Sequence, residues 1–293
     1  MRTIEYFDGL GRKVQTVHQS AAPGQIDLVD YTQYNNMGLP SRQWSLFNSD
    51  ESGAYLNVPN AVIFSDNNPY GDNRPYISTT YENAPSPRIV EQHQAGNDWY
   101  NHNGTQIHYG LVGGVAHPVN VVKFELRNGG IAKNGQWEPG ELFMERIIDE
   151  DGKNVISFYD KHNNLIFETN QFESQIGTYY IYNSIDLLCY VIPPKLSEIL
   201  VSQNNGTFIP DTDQNMEELA YIYKYDIRSR LCSKKMPAAE TVILYYDKID
   251  NLIALQDGNQ RTNQVCIVNA YDNQGRQAYT SLLQLNQNQF TTM

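Results

Sequence analysis

The chain has 293 residues, 40% of them hydrophobic and 12% aromatic, with 21 tyrosines and a formal charge of −12. This much apolar and aromatic surface excludes a disordered polymer and suffices for the core of one or two domains, so the negative mean hydropathy reflects Asn, Gln and Tyr. The acidic balance, with no cluster of Lys and Arg, excludes nucleic acid as a partner, because neutralising phosphates takes a basic stripe.

No run approaches the roughly 18 apolar residues of a membrane span, so no membrane insertion is expected. Residues 1–8 show neither the charged start nor the apolar core of a signal peptide. Cys189, Cys232 and Cys266 lie far apart and are odd in number, which fits small buried hydrophobes and neither a zinc site nor a disulfide framework.

One short pattern recurs along the chain: an aromatic (position 0), Asp or Asn (position 1), two variable residues, a small or turn-forming residue (position 4), then often Arg or Lys (position 5). In chain order the copies begin at Phe7-Asp8 and Tyr34-Asn35, with a degenerate one at Tyr81-Glu82 interrupted by Pro85 and Pro87. They continue at Ile148-Asp149, Tyr159-Asp160, Tyr182-Asn183, Tyr225-Asp226, Tyr246-Asp247 and Tyr271-Asp272. From Asp160 onward the steps are 23, 43, 21 and 25 residues, a repeating unit with one insertion.

Each position has a task in a β-hairpin. The Asp or Asn accepts a hydrogen bond from backbone two residues on and opens an Asx turn. Position 4 is Gly11, Gly38, Gly152, Asn163, Asp186, Ser229, Asp250 and Gly275, types suited, Ser229 excepted, to the left-handed backbone that closes a bulged hairpin. Ser229 is the awkward member, and its turn is expected to differ. The regular place of Tyr34, Tyr159, Tyr182, Tyr225, Tyr246 and Tyr271 points to packing between neighbouring hairpins, with the hydroxyl reaching water or backbone; Tyr6 is counted with them in the first copy.

Between the turns, Thr178-Tyr179-Tyr180-Ile181-Tyr182 and Thr241-Val242-Ile243-Leu244-Tyr245-Tyr246 are rich in β-branched and aromatic residues and read as strands. Residues 48–72 read as a long surface loop, and 93–117 mix Gly, His and Asn with short strand-like pieces. Helix is expected only at 195–201 and at 216–220 after Asp213 as N-cap, a short helical insertion near 194–220. The fold class is therefore all-β, repeated antiparallel hairpins forming curved sheets with at most two or three short helices. It is organised as a single region, 1–293, with 45–140 less regular and 141–293 the more regular array.

The segments Tyr6-Phe7-Asp8-Gly9-Leu10-Gly11-Arg12, Tyr225-Asp226-Ile227-Arg228-Ser229-Arg230-Leu231, Tyr246-Asp247-Lys248-Ile249-Asp250-Asn251-Leu252 and Tyr271-Asp272-Asn273-Gln274-Gly275-Arg276 resemble the YD repeats of the Rhs family. The stretch Gln256-Asp257-Gly258-Asn259-Gln260-Arg261 is similar to others in large surface proteins of gut bacteria. The resemblance covers both ends and most of the second half and is weaker from about 45 to 140. It implies hairpins wound into a shell at the cell surface or outside the cell, as part of a longer parent chain, with neighbouring YD repeats, a glycan or an encapsulated effector as partners. No stretch near the end resembles the Asp-Pro motif of that family, and a polar tail at 284–292 leaves no room for a toxin domain.

The reading is thus a structural or interaction module, not an enzyme, with no catalytic residue, cofactor or metal. One alternative is carbohydrate binding, for which Trp44, Trp99 and Trp137 offer stacking faces; another is an unrecognised hydrolase. Glu138, Glu141 and Glu145 suggest a glycosidase pair, but in a strand Glu141 and Glu145 stand roughly 13 Å apart. His93, His102, His108 and His117 match no ligand spacing, and Asp149-Glu150-Asp151-Gly152 is a repeat turn lacking the later Glu of a calcium loop.

Overall fold

The computed structural model describes residues 2–49, 52–56, 72, 74–113, 120–171, 174–203, 206–210 and 212–285. Of these, 51% are strand and 10% helix, and the fold is all-β as expected. The chain divides into two compact units, Met1–Tyr109 with Glu145–Val155, and Gly110–Met144 with Ile156–Met293.

In the first unit β1 (Arg2–Phe7), β2 (Lys13–Ala22), β3 (Ile26–Tyr34), β4 (Pro40–Ser49), β5 (Tyr76–Tyr81), β6 (Ile89–His93) and β7 (Thr105–Leu111) pair in sequence order, each antiparallel to the next. The short helix α1 (Asn97–Asn101) connects the last two. Val17, Val29 and Phe47 form the buried core with Ile4, Tyr31 and Leu56 packed on it. Leu56 and Gly53 belong to the segment read as a free surface loop, yet both are pinned: the Leu56 amide donates to Gln15 Oε1 at 2.9 Å and the Gly53 amide to Asp27 Oδ2. The middle of that segment, 57–71, lies outside the described residues.

The chain passes between the units within β10 (Phe143–Ile148) and β11 (Asn154–Tyr159), after β8 (Val122–Arg127) and β9 (Gly130–Gln136). In the second unit β11 is followed by β12 (Leu165–Thr169), β13 (Thr178–Tyr182) and β14 (Leu188–Ile192). An insertion then brings α2 (Pro194–Ser202), β15 (Thr207–Phe208) and α3 (Gln214–Leu219), before the array resumes with β16 (Tyr221–Tyr225), β17 (Leu231–Lys235), β18 (Val242–Tyr246) and β19 (Leu252–Gln256). After helix α4 (Gly258–Thr262), β20 (Val265–Tyr271) and β21 (Gln277–Gln284) complete it. From β11 to β21 each array strand pairs antiparallel with the next, β14 pairing directly with β16 across the insertion.

The insertion forms because its residues have somewhere to bury. Pro194 starts α2 with its fixed φ, and Leu196 and Leu200, one turn apart, are fully buried. Asp213 caps α3 by accepting the Asn215 and Met216 amides, which places Met216 in the same core. A small antiparallel sheet, β8–β9–β15, adds Phe124 and Ile131. Together they cover Phe158, Phe167, Tyr179, Ile192 and Ile222 of the array; Tyr179 stacks on Phe167 with centroids 4.4 Å apart and meets Phe124 edge-on at 5.0 Å.

Four helices are described, more than the two or three expected. The two missed, α1 and α4, are five residues each, too short to show a period; α4 is started by a capping box between Asp257 and Gln260.

The turns are uniform. Gly11, Gly38, Gly152 and Gly275 have φ of 76°, 79°, 79° and 75°, and Asn163, Asp186, Ser229 and Asp250 have 65°, 59°, 62° and 70°. Ser229 therefore corrects the expectation that its turn differs: the Asp226 cage described below holds even a residue with little left-handed preference in that backbone. The ladder slips by one residue at the aromatic, so that Tyr159 faces Leu165, Tyr225 faces Leu231 and Tyr246 faces Leu252.

A Cβ at Gly11 meets nothing within 4 Å, so Gly11→Ala isolates the backbone cost. It is expected to lower stability by about 1–2 kcal/mol, and Ser229→Gly to raise it by up to about 1 kcal/mol. Urea unfolding of the three proteins checks both signs.

Candidate functional site: a tyrosine clasp between hairpins

At each turn one carboxylate or carboxamide oxygen of position 1 takes two amides. Asp8 Oδ1 accepts from the Leu10 and Arg12 amides at 2.9 Å each, Asp226 Oδ1 from Arg228 and Arg230 at 2.9 and 3.0 Å, and Asn183 Oδ1 from Ile185 and Leu187 at 3.1 and 2.9 Å. Asn35, Asp149, Asp160, Asp247 and Asp272 do the same. The Asp149 segment is accordingly a hairpin turn.

The second carboxylate oxygen holds the side chain at position 5. Arg12, Arg230 and Arg276 donate through Nε to Asp8, Asp226 and Asp272 at 2.7, 2.7 and 2.8 Å, and Asn164 and Asn251 donate to Asp160 and Asp247. The degenerate copy obeys the same rule across a longer loop: Arg88 Nε donates to Glu82 at 2.6 Å. The Arg12 amide and then its guanidinium hold the Asp8 carboxyl below the usual carboxylate range, as the Arg230 guanidinium and then its amide do for Asp226.

The arginine so fixed lies on the tyrosine of the next hairpin. The Arg12 guanidinium sits 4.4 Å from the Tyr34 ring centroid, Arg88 3.9 Å from Tyr109 and Arg230 4.8 Å from Tyr246. That same tyrosine donates its hydroxyl to the carbonyl at position 6 of the hairpin before it. Tyr34 reaches Lys13 at 2.8 Å, Tyr81 reaches Pro40 at 2.9 Å and Tyr109 reaches Ile89 at 3.0 Å. Tyr225 reaches Leu188 at 2.9 Å, and Tyr246 and Tyr271 reach Leu231 and Leu252 at 3.0 Å each. Tyr182 is the exception: its ring packs on the main core and its hydroxyl makes no such bond among the described residues.

Two assignments change. Phe7, not Tyr6, occupies the clasp position of the first copy, because the register slip falls between them; Tyr6 instead donates to the Gly53 carbonyl at 2.6 Å. Tyr109 belongs to the clasp series, although Gly110 follows it where the motif has an acid; an Arg at position 5 of the preceding hairpin, Arg88, is the signal that marks it.

The remaining candidates stand elsewhere. Trp44 is buried at 3% exposure against Tyr76, centroids 4.5 Å apart, so it presents no face to a sugar. Trp99 is 52% exposed, and Trp137 is partly buried with the Lys123 ammonium 4.7 Å from its ring centroid. Glu141 accepts the Glu138 amide within its own turn, and Glu145 lies in the other unit's residue set. His93 packs on Tyr100, His102 Nδ1 lies 2.7 Å from the Asp98 carbonyl oxygen, His108 is exposed and His117 lies outside the described residues. A group the spacing did not reveal is Asp160, His162 and Asp186, whose ligand-type atoms lie within 4.8 Å of one another. His162 Nδ1 is 3.1 Å from Asp186 Oδ1, which bridges two successive turns at the positions that Arg228 and Asp250 bridge farther on.

Residues 1–111 match a family model described as DUF6443, a domain of unknown function. No curated protein matches the chain. Over 96% of its length the chain is similar to the TcdB2-TccC3-TEV crystal structure, at a TM-score of 0.56 and 14% identity. It is likewise similar to the Photorhabdus luminescens Tc holotoxin pore carrying a TccC3 variant, at 0.58 and 13%. The chain has the YD-repeat, Rhs-type fold. It spans 12% of the length of each of those chains. No described helix is long and apolar enough to cross a membrane.

In this YD-repeat chain the clasp sets a pH window. Burial raises the Tyr225 and Tyr246 hydroxyls above the ordinary value of 10.0, so their contribution is full below pH 10 and is lost as pH rises through the raised values. Asp8 and Asp226 act oppositely: their contribution is present above the ordinary 3.8 and is lost as pH falls through their lowered values. Tyr246→Phe is expected to cost about 1 kcal/mol at neutral pH. The double variant with Tyr225→Phe should lose stability less steeply above pH 10 than the parent, as measured by urea midpoints across pH.

Proposed function

We propose that this chain is a non-catalytic wall segment of a larger YD-repeat shell, carried at the bacterial surface or secreted, whose enclosed space holds a cargo such as an effector. The observation that carries this reading is the clasp. The Asp, Arg and Tyr side chains that carry chemistry elsewhere are here bonded to the turn or to the adjoining hairpin, over and over, so the polar groups serve the array itself. The likeness in fold to structures titled as TcdB2-TccC3 assemblies and as a holotoxin pore supports the reading, as does the small share of those chains that this one spans.

Cryo-electron microscopy of the native gene product is expected to show a hollow β-shell with these hairpins in its wall; a solid globule in which they pack on a filled core overturns the proposal. A glycan array with the purified chain is expected to stay at background. Specific binding abolished by Trp99→Ala would move the reading to carbohydrate recognition.

A further inference from the structure

Successive hairpins meet in one register. The residue at position 8 of a hairpin faces the residue three before the aromatic of the next: Gln15 faces Tyr31, Arg42 faces Ser78, Ser233 faces Ile243 and Ala254 faces Val268. Three features of the earlier hairpin therefore receive the next tyrosine: a ladder edge, an arginine held by the turn acid, and the carbonyl at position 6.

The last hairpin presents all three, and no described residue fills them. Asp272 fixes Arg276 through Nε, yet the Arg276 side chain is 74% exposed, against 21% for Arg230 and 30% for Arg12, which lie over tyrosines. The Gln277 carbonyl, the counterpart of Leu231 and Leu252, accepts no side-chain hydrogen bond among the described residues. β21 pairs with β20 along one edge, and every residue in it is exposed, including Tyr279, Leu282 and Leu283. An uncovered apolar row on a strand edge is a template for another strand.

We infer that β21 is the docking edge for the tyrosine-bearing strand of a further YD-type hairpin, supplied from outside residues 1–293 by the same, longer polypeptide. This rests on the wall-segment reading. Residues 280–293 contain no tyrosine and cannot supply the strand, and the leading hairpin of a second copy brings Phe7, which has no hydroxyl to donate. The incoming tyrosine follows by three residues the one that faces Tyr279, its ring lies under Arg276, and its hydroxyl donates to the Gln277 carbonyl.

The test adds to the full chain a synthetic hairpin peptide with the sequence of residues 238–262 and reads amide hydrogen exchange. The peptide is expected to protect the amides of β21. Binding should weaken by about five-fold when the peptide carries Tyr246→Phe or the chain carries Arg276→Ala, an exposed turn position where circular dichroism confirms that the fold is kept. Three outcomes overturn the proposal: no protection of β21 at millimolar peptide, undiminished binding of the Phe peptide, or protection of β21 that rises with the concentration of the chain alone and so assigns the edge to a second copy. A hollow gene product with β21 unpaired overturns this proposal and leaves the wall segment standing, whereas a solid one removes the wall segment.

Discussion

A single hydrogen bond, from a tyrosine hydroxyl to the first carbonyl of the preceding hairpin's return strand, fixes how each hairpin sits on the one before it. It spans 15 residues at Tyr246, 21 at Tyr34, 37 at Tyr225 and 41 at Tyr81, with nearly the same length each time. The connection between hairpins can therefore grow without changing their mutual register, since lengthening a loop costs only a slowly rising closure entropy. This explains how the array tolerates both the α2–β15–α3 insertion before Tyr225 and the long segment before Tyr81. Inserted chain leaves the ladder at one residue and returns to it at a place the tyrosine specifies.

The turn that feeds this bond has its own internal logic. Where position 1 is an acid, position 5 is a donor: Arg12, Arg88, Lys153, Asn164, Arg230, Asn251 and Arg276. Where position 1 is Asn, as at Asn35 and Asn183, position 5 is Leu39 and Leu187. One oxygen closes the turn in both cases. A carboxylate then has a second oxygen that is costly to leave unpaired beside half-buried strands, and a donor five positions from the aromatic satisfies it. A carboxamide leaves a donor there instead, so an apolar side chain suffices. The arginines add a second effect: planar and held at Nε, they place their free face on the next ring, which a flexible lysine does less well.

What was legible in the sequence follows from range. The turns were legible because everything that specifies them lies within six residues, and Gly11, Gly38, Gly152 and Gly275 advertise a left-handed backbone by their type. The helical insertion was legible because Leu196 and Leu200 repeat at helical spacing after two prolines. The acceptor of each tyrosine was not, since it lies 15 to 41 residues back and is a carbonyl, which no residue type marks. Trp44 was misjudged for a related reason. Apolar residues occupy both faces of these strands, so alternation could not tell its buried side from an exposed one, and only the arrival of Tyr76 on β5 decides it. Tyr109 escaped because its partner, Arg88, sits in a hairpin whose two prolines disguise the motif.

Burial and clasping are also divided along the chain. The buried core of the second unit gathers where α2, α3 and the small sheet cover the array, from Ile156 to Ile222. Beyond it, every residue of β17 and of β18 is only partly buried. That part of the array has little apolar burial to rely on, and there the polar clasp is densest: Arg230 contacts Asp226, Asp250 and the ring of Tyr246, while Arg228 reaches both the Lys248 carbonyl and Asp250. Isolated surface ion pairs contribute little, but a planar guanidinium that joins two turn acids and a ring shares one ordering cost among several bonds. In a linear repeat each unit is stabilised mainly through its neighbours, so a stretch with little core stays registered only if every hairpin grips the last. The sequence meets that demand by placing arginine at both position 3 and position 5 of the Tyr225 hairpin, where the covering layer ends.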